Sequence, residues 1–271
     1  MLSAKKPGSL VVRRLERPQP PDEYTQSVAD FVRDYPPASP ERTEGKRWKA
    51  WRNTCQQAYT AVVRCLQENQ GGLCAFCEIP LTPTNRQIEH FIPKTMTTAE
   101  CDWTINFSNY TLACKGNENS RDRYYSDSPS EAANYTCGHK KDNIDPVGCI
   151  CNPYDLPPYP LVKADYRDEG LWLVPDTKTC QKANIAPELV ESTLELLGLN
   201  CPNLRRRRKE AWDDLLKSID SVFSDLPAEQ QEHALQDLVE EHLYPYQGQL
   251  EAFYTTRLLC FASDLPELIQ G

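Results

Sequence analysis

Leu73-Cys74-Ala75-Phe76-Cys77-Glu78 and, about ten residues later, Ile88-Glu89-His90-Phe91-Ile92-Pro93-Lys94 are the stretches on which the reading of this chain turns. The first is a CxxC placed directly after Gly71-Gly72. Two thiolates at this spacing on a tight turn can face one tetrahedral ion. A redox pair has the same spacing, but no βαβ pattern surrounds this one. The second stretch alternates like a strand and is stopped by Pro93. Neighbouring residues on a strand point to opposite faces, so Glu89 and His90 can serve one site only at a twisted or terminal position, which Pro93 supports. Taken alone, a Glu-His dipeptide is more often a surface feature than a site.

A tetrahedral ion needs two further ligands, and Cys114 and Cys137 are the expected pair. They are separated by 22 residues, Lys115 to Thr136, rich in Asn, Ser and Tyr, which can loop out and leave the two thiols adjacent. Cys149, Cys151 and His139 compete for the same places. The stretch from Leu73 to about Cys151 is short of apolar residues. A structural zinc ion, worth on the order of 10 kcal/mol of folding free energy, would compensate.

Further outward, the 271 residues suffice for one large or two modest domains, and 39% hydrophobic with 25% charged residues is ordinary for a soluble globular protein. No run approaches the roughly 20 apolar residues of a membrane span, and Leu10-Val11-Val12 is too short for a signal-peptide core, so a cytoplasmic location is expected. In a reducing compartment, clustered members of the 12 cysteines suggest metal binding. Cys55, Cys65 and Cys260 read instead as small buried hydrophobes. The net charge of −9 argues against a generally basic surface, although a local patch could still hold nucleic acid. Basic clusters occur around Lys46-Arg47, at Lys140-Lys141 and at Arg205 to Lys209. The last lies on a predicted helix, where a charge run is usually a solvated face; Arg205 and Arg206 are nonetheless candidate nucleic-acid contacts.

The first forty-odd residues are proline-rich and read as an extended arm with one short helix, Glu23 to Arg33. Trp48, Trp51, Cys55, Tyr59, Val62 and Leu66 recur at spacings of three and four, which predicts one helix from Lys46 to Asn69 ended by Gly71-Gly72. Asn152 to Lys182 reads as irregular, with a hairpin at Asp168-Glu169-Gly170. Four helices follow: Pro187 to Leu197, Asn203 to Phe223, Pro227 to Leu243 and Gln249 to Ala262. The fold class is α+β, a small zinc-stapled unit embedded in a mainly helical chain. The expected divisions are an arm over 1–45, a helix plus zinc-containing unit over 46–155, and an irregular and helical region over 156–271.

The context of Glu89-His90 raises its weight. Trp103, Asn106 and Asn109-Tyr110-Thr111-Leu112-Ala113-Cys114 follow, and then Cys137-Gly138-His139-Lys140-Lys141. A carboxylate-His pair, an Asn before a strand leading to Cys, and a Cys followed by His and lysines is the order of the HNH (ββα-metal) endonuclease family. The chain resembles its zinc-containing branch. CAFCE, IEHFIPK, DWTINFSNYTLAC and CGHKKD are similar to the PtuB-type HNH effectors of Septu and retron anti-phage defence systems, most specifically from Cys74 to about Asp155.

The resemblance implies an endonuclease that hydrolyses phosphodiester bonds. His90 would be the general base, Glu89 a ligand of a catalytic Mg²⁺ or Mn²⁺, and Asn109 the residue that holds the His90 loop. His139 would be the second metal ligand, with Lys94, Lys140 and Lys141 toward the phosphate backbone. It also implies a PtuA-like ATPase as partner, with a retron reverse transcriptase and its RNA–DNA product as a third component. Two positions depart from the family's pattern. Gly138 follows the last cysteine where Asn or His is common, and Glu89 stands where Asp is common. The second ligand therefore stays open among His139, Asn143, Asn117 and Asn119. The competing expectation is a non-catalytic zinc module that binds nucleic acid or protein. The substrate stays open between DNA and RNA.

Overall fold

The computed structural model describes residues 14–38, 43–116 and 134–265. Asp22–Asp34 forms helix α1, with Tyr24 and Phe31 on its buried face. The single helix expected over Lys46 to Asn69 is two, α2 (Glu44–Thr54) and α3 (Gln56–Asn69). Cys55 between them leaves the helical region, with φ −107° and ψ 49°. The bend lets Trp51 of α2 and Val62 and Leu66 of α3 reach the same core, each with no surface exposed. Tyr59 packs across it on Trp48 and Trp51, with ring centroids 6.4 and 6.2 Å apart. Periodicity counts residues and cannot see such a bend. Gly71 and Gly72, at φ 57° and 75°, end α3 in the left-handed region.

Strands β1 (Arg86–His90) and β2 (Tyr110–Cys114) pair antiparallel, with His90 opposite Tyr110 and Arg86 opposite Cys114. The short helix α4 (Cys137–Lys141) follows in chain order. All five residues of β2 are buried, because the ribbon is covered by α3 and α4. A second ribbon, β3 (Val162–Arg167) with β4 (Gly170–Pro175), turns at Asp168-Glu169-Gly170 as the sequence suggests.

Beyond it lie α5 (Thr177–Ala183), α6 (Pro187–Leu196), α7 (Pro202–Asp225), α8 (Ala228–Leu243) and α9 (Tyr254–Asp264). The seven-residue α5 falls where no helix is expected; it is too short to show a period and is started by Asp176, whose side chain accepts from the Lys178 amide. The last helix begins five residues later than its pattern, since Tyr246 and Gln249 pair in a turn. Its first turn is capped by Glu78, which accepts from the Thr255 amide at 2.9 Å and the Thr255 hydroxyl at 2.6 Å.

One apolar core runs from Leu15 through Trp51, Leu112 and Leu161 to Leu204. It therefore crosses the divisions expected near 45 and 155. A second core joins α7, α8 and α9, through Trp212, Leu215, Leu235, Leu258 and Phe261. The proline-rich arm is tied down from residue 15: the Leu15 amide donates to the Pro153 carbonyl at 2.8 Å, and Arg17 donates to the Ser108 carbonyl at 2.6 Å. Among the described residues no helix is long and apolar enough to cross a membrane.

Candidate functional site

Cys74, Cys77, Cys114 and Cys137 converge in one buried cluster whose sulfurs all lie within 4.8 Å of one another. The Cys74–Cys137, Cys77–Cys114 and Cys114–Cys137 sulfur separations are 3.8, 3.6 and 3.7 Å. Four thiolates at the usual zinc–sulfur distance of about 2.3 Å stand about 3.8 Å apart on a tetrahedron, so the donor set fits zinc in type and spacing. Local structure explains the convergence. Glu78 takes a positive φ of 60°, and the Cys74 amide bonds the Ile79 carbonyl at 2.9 Å, curling the CxxC into a knuckle. Cys114 is the last residue of β2 and Cys137 the first of α4. Cys149 and Cys151 lie outside the cluster. The Cys149 thiol bonds the Asp145 carbonyl, and the Cys151 amide bonds Thr193. Of the three cysteines expected to be plain core residues, Cys260 is buried, whereas Cys55 and Cys65 are only half-buried.

His90 closes β1, the terminal position that lets it and Glu89 line one cleft. Its ring is buried, edge-on to Trp48 at 4.5 Å and to Tyr110 at 5.0 Å. Nε2 lies 3.0 Å from the Thr104 carbonyl oxygen. A carbonyl can only accept, so Nε2 carries the proton and Nδ1 keeps a lone pair. Nδ1 has no protein hydrogen-bond partner. Burial pushes the His90 pKa well below the ordinary histidine value, and nearby Lys94 and Lys141 push the same way. The imidazole is therefore neutral at physiological pH.

Asn109 is buried and bridges two loops. Its amide nitrogen donates to the Ile92 and Trp103 carbonyls at 2.9 and 2.8 Å, and its oxygen accepts from the Ile92 amide at 2.8 Å. It thus spans the segment after His90 and the segment carrying Thr104.

A polar cleft of about 260 Å³ opens beside His90, lined among others by Arg52, Glu89, Lys94, Lys141 and Asn143. Glu89 has its pKa raised by burial, opposed by Lys141. Burial lowers the Lys94 pKa, opposed by Glu89. Lys141 differs from its expected place on the phosphate-facing surface. It is 1% exposed, and its Nζ lies 3.0 Å from Glu89 Oε1. His139 is not among the residues lining the cleft. Its ring stands edge-on to Tyr135 at 4.4 Å, and its Cβ lies by Gly116. The reason is helical geometry: residues three apart share a face, so Gly138 and Lys141 look onto Glu89 while His139 is turned about 100° away. Lys140 is exposed and does not line the cleft either. Asn143 does, bonded to Asp142 at 3.1 Å. Asn117 and Asn119 lie outside the described residues.

The basic run of α7 is largely engaged by its own neighbours. The Arg205 guanidinium lies 3.9 Å over the Trp172 ring, and Arg206 pairs with Glu210 at 2.8 Å. Arg208 is buried, and desolvation lowers its pKa to about 10. A count of charges along the chain does not reveal these partners.

One part of the site escaped the sequence. Arg47 of α2, 2% exposed, grips both oxygens of Asp102, at 2.7 and 2.5 Å. Asp102 Oδ1 in turn accepts from the Thr104 and Ile105 amides at 3.1 and 3.0 Å. The pair shapes the turn that offers the Thr104 carbonyl to His90. Arg47 read as one more member of a basic cluster, and its distant partner, 55 residues on, left no local signal.

No protein-family model matches the chain. Two curated proteins are similar to it. "Retron Vc95 putative HNH endonuclease" from Vibrio cholerae is 28% identical over 151 residues, 54% of this chain and 61% of that protein. "Retron Ec83 putative HNH endonuclease" from Escherichia coli is 27% identical over 233 residues, 80% of this chain and 86% of that protein. The first match thus spans less than two thirds of its relative. At this distance the two likenesses support, at the level of family, an HNH endonuclease of the retron-associated kind.

Proposed function

We propose that this chain is an HNH-type endonuclease that hydrolyses phosphodiester bonds of nucleic acid, as the effector of a retron-type anti-phage defence assembly. The observation that carries the reading is His90: a buried, neutral imidazole with one nitrogen tied to a carbonyl and the other unpartnered, in a cleft lined by lysines. Nδ1, shielded from solvent in the free chain, would take a proton from a water admitted with the substrate as its oxygen attacks phosphorus. The bond from phosphorus to the leaving ribose or deoxyribose oxygen breaks, and that oxygen is then protonated. Lys94, which lines the cleft, supplies positive charge beside the phosphate. Asn109 and the Arg47–Asp102 pair position His90 and touch no substrate.

The four-cysteine cluster would hold zinc, which with four thiolates has no open position and supplies folding free energy rather than chemistry. The Mg²⁺ or Mn²⁺ implied by the resemblance, with Glu89 and His139 as ligands, finds less support. His139 is turned away from Glu89, and among the described residues no group of three metal donors includes Glu89.

By the same resemblance, the partners are a PtuA-like ATPase and a retron reverse transcriptase with its RNA–DNA product. The exposed acidic side chains of α8 and the exposed Phe223 and Tyr246 suit contact with a partner. The Glu89–Lys141 ion pair favours a second reading, a zinc module without catalysis. One experiment separates the two. Zinc-loaded wild type and His90→Ala are incubated, with the partner complex, on plasmid DNA and on total cellular RNA. Loss of about 10²- to 10⁴-fold in cleavage is expected for His90→Ala. Full cleavage by folded His90→Ala protein would sink the nuclease reading, and the two substrates decide DNA against RNA.

A further inference from the structure

Lysine is among the residues least often buried, and a buried ammonium must have its protons taken by acceptors. Lys141, 1% exposed, meets that condition in full. Its Nζ lies 3.0 Å from Glu89 Oε1, 3.1 Å from the His90 carbonyl oxygen and 3.2 Å from the Phe91 carbonyl oxygen. An ammonium has three protons, and these three oxygens are its nearest acceptors; the Asp142 carbonyl oxygen lies farther off, at 3.5 Å. One carboxylate and two carbonyls are also the donors that hard divalent cations choose. This is a cation site, and it is already filled.

The other side of Glu89 is closed to a side chain at position 138. Oε2 is packed against Gly138, where a Cβ would overlap the carboxylate. The long Glu89 side chain therefore fills the space that any side chain at position 138 would need, and no donor from that position can reach an ion on Glu89.

We propose that the Lys141 ammonium stands on Glu89 in place of a divalent cation. Mg²⁺ or Mn²⁺ reaches this carboxylate only after Lys141 has been drawn away. The group able to draw it is the anionic phosphodiester of a nucleic acid entering the cleft, which gives the ammonium a new partner. Substrate then binds before metal, and the free protein is held without its second ion. The idea rests on the nuclease reading for its substrate, but its central claim concerns the free chain.

The test is Mn²⁺ binding to the zinc-loaded full chain without nucleic acid, followed by the electron paramagnetic resonance of unbound Mn²⁺. Wild type is expected to show no site that depends on Glu89. Lys141→Met and Lys141→Gln should each gain one at least roughly tenfold tighter than any wild-type binding, and the gain should vanish when Glu89→Gln is added. Lys141→Gln keeps a donor for the two carbonyls, which guards against misfolding; zinc content and circular dichroism verify the fold of each variant. Adding a phosphorothioate oligonucleotide to wild type should raise its Mn²⁺ affinity. The proposal is overturned if free wild type already holds Mn²⁺ through Glu89 as tightly as the Lys141 variants, or if neither variant gains a site. No rise with the oligonucleotide overturns the release by phosphate. These results are read without any cleavage, so they stand apart from the outcome for His90→Ala.

Discussion

His90 shows how much a single position owes to its surroundings. In the sequence it is half of a common dipeptide. In the structure its tautomer follows from one carbonyl, Thr104, and its neutrality from burial beside two lysines. A base held neutral in this way stays competent as pH falls. If His90 is the general base, cleavage should rise with pH through an acid limb lying well below 6.5, the ordinary histidine value. An acid limb at or above about 6.5 would contradict the assignment. Asn109 makes three hydrogen bonds while buried, so Asn109→Ala should leave unpaired groups behind. A loss of about 2–4 kcal/mol in denaturant unfolding is expected, along with weaker cleavage. Asn109→Ala protein as stable as wild type would remove its positioning role.

At the scale of elements, the site is made where secondary structures end. The CxxC knuckle, the end of β2 and the start of α4 deliver one or two thiols each. Removing a ligand should therefore unfold the unit rather than slow it. Cys74→Ser is expected to lose zinc and cooperative thermal unfolding together; soluble, fully active Cys74→Ser protein would remove the zinc-brace assignment. Helix α2 reaches the same site from outside the motif. Arg47→Met leaves the half-buried Asp102 without its partner, so a destabilisation of about 1–3 kcal/mol is expected. The turn bearing Thr104 should also loosen, and the proton on His90 should no longer be confined to Nε2, which ¹⁵N spectra of the ring would show. An unchanged His90 tautomer in a folded Arg47→Met protein would restrict Arg47 to stability.

At the scale of the molecule, the apolar core passes from the N-terminal arm to α7 without a break at 45 or 155. Glu78, next to the CxxC, caps α9 far along the chain, and Cys137 donates its amide to Leu197. The central unit is thus enclosed by segments before and after it. A fragment of residues 46–155 is expected to stay unfolded even with zinc, as judged by circular dichroism and amide-proton dispersion, because the Leu15, Leu161 and Leu204 side of its core would face water. Cooperative melting of that fragment would show it to be an independent domain.

What the sequence determined by itself is what short-range rules govern. The CxxC, the Glu-His pair at a strand end, the hairpin at Gly170 and the helices from Pro187 to Leu243 follow from spacing, turn chemistry and periodicity, each acting within a few residues. The resemblance to HNH proteins was legible in the same way, from local motifs in order. The tertiary structure decided what depends on partners distant in the chain. It bent the helix at Cys55, turned His139 from Glu89 and joined Arg47 to Asp102. It also buried Lys141 on Glu89, matched Arg205 and Arg206 with Trp172 and Glu210, and brought Cys114 and Cys137 together across 22 residues. The reason is physical: a charge or a lone pair acquires its role from the solvent it loses and the oppositely charged group it meets. Both are set by packing, and neither is written at the residue's own position in the chain.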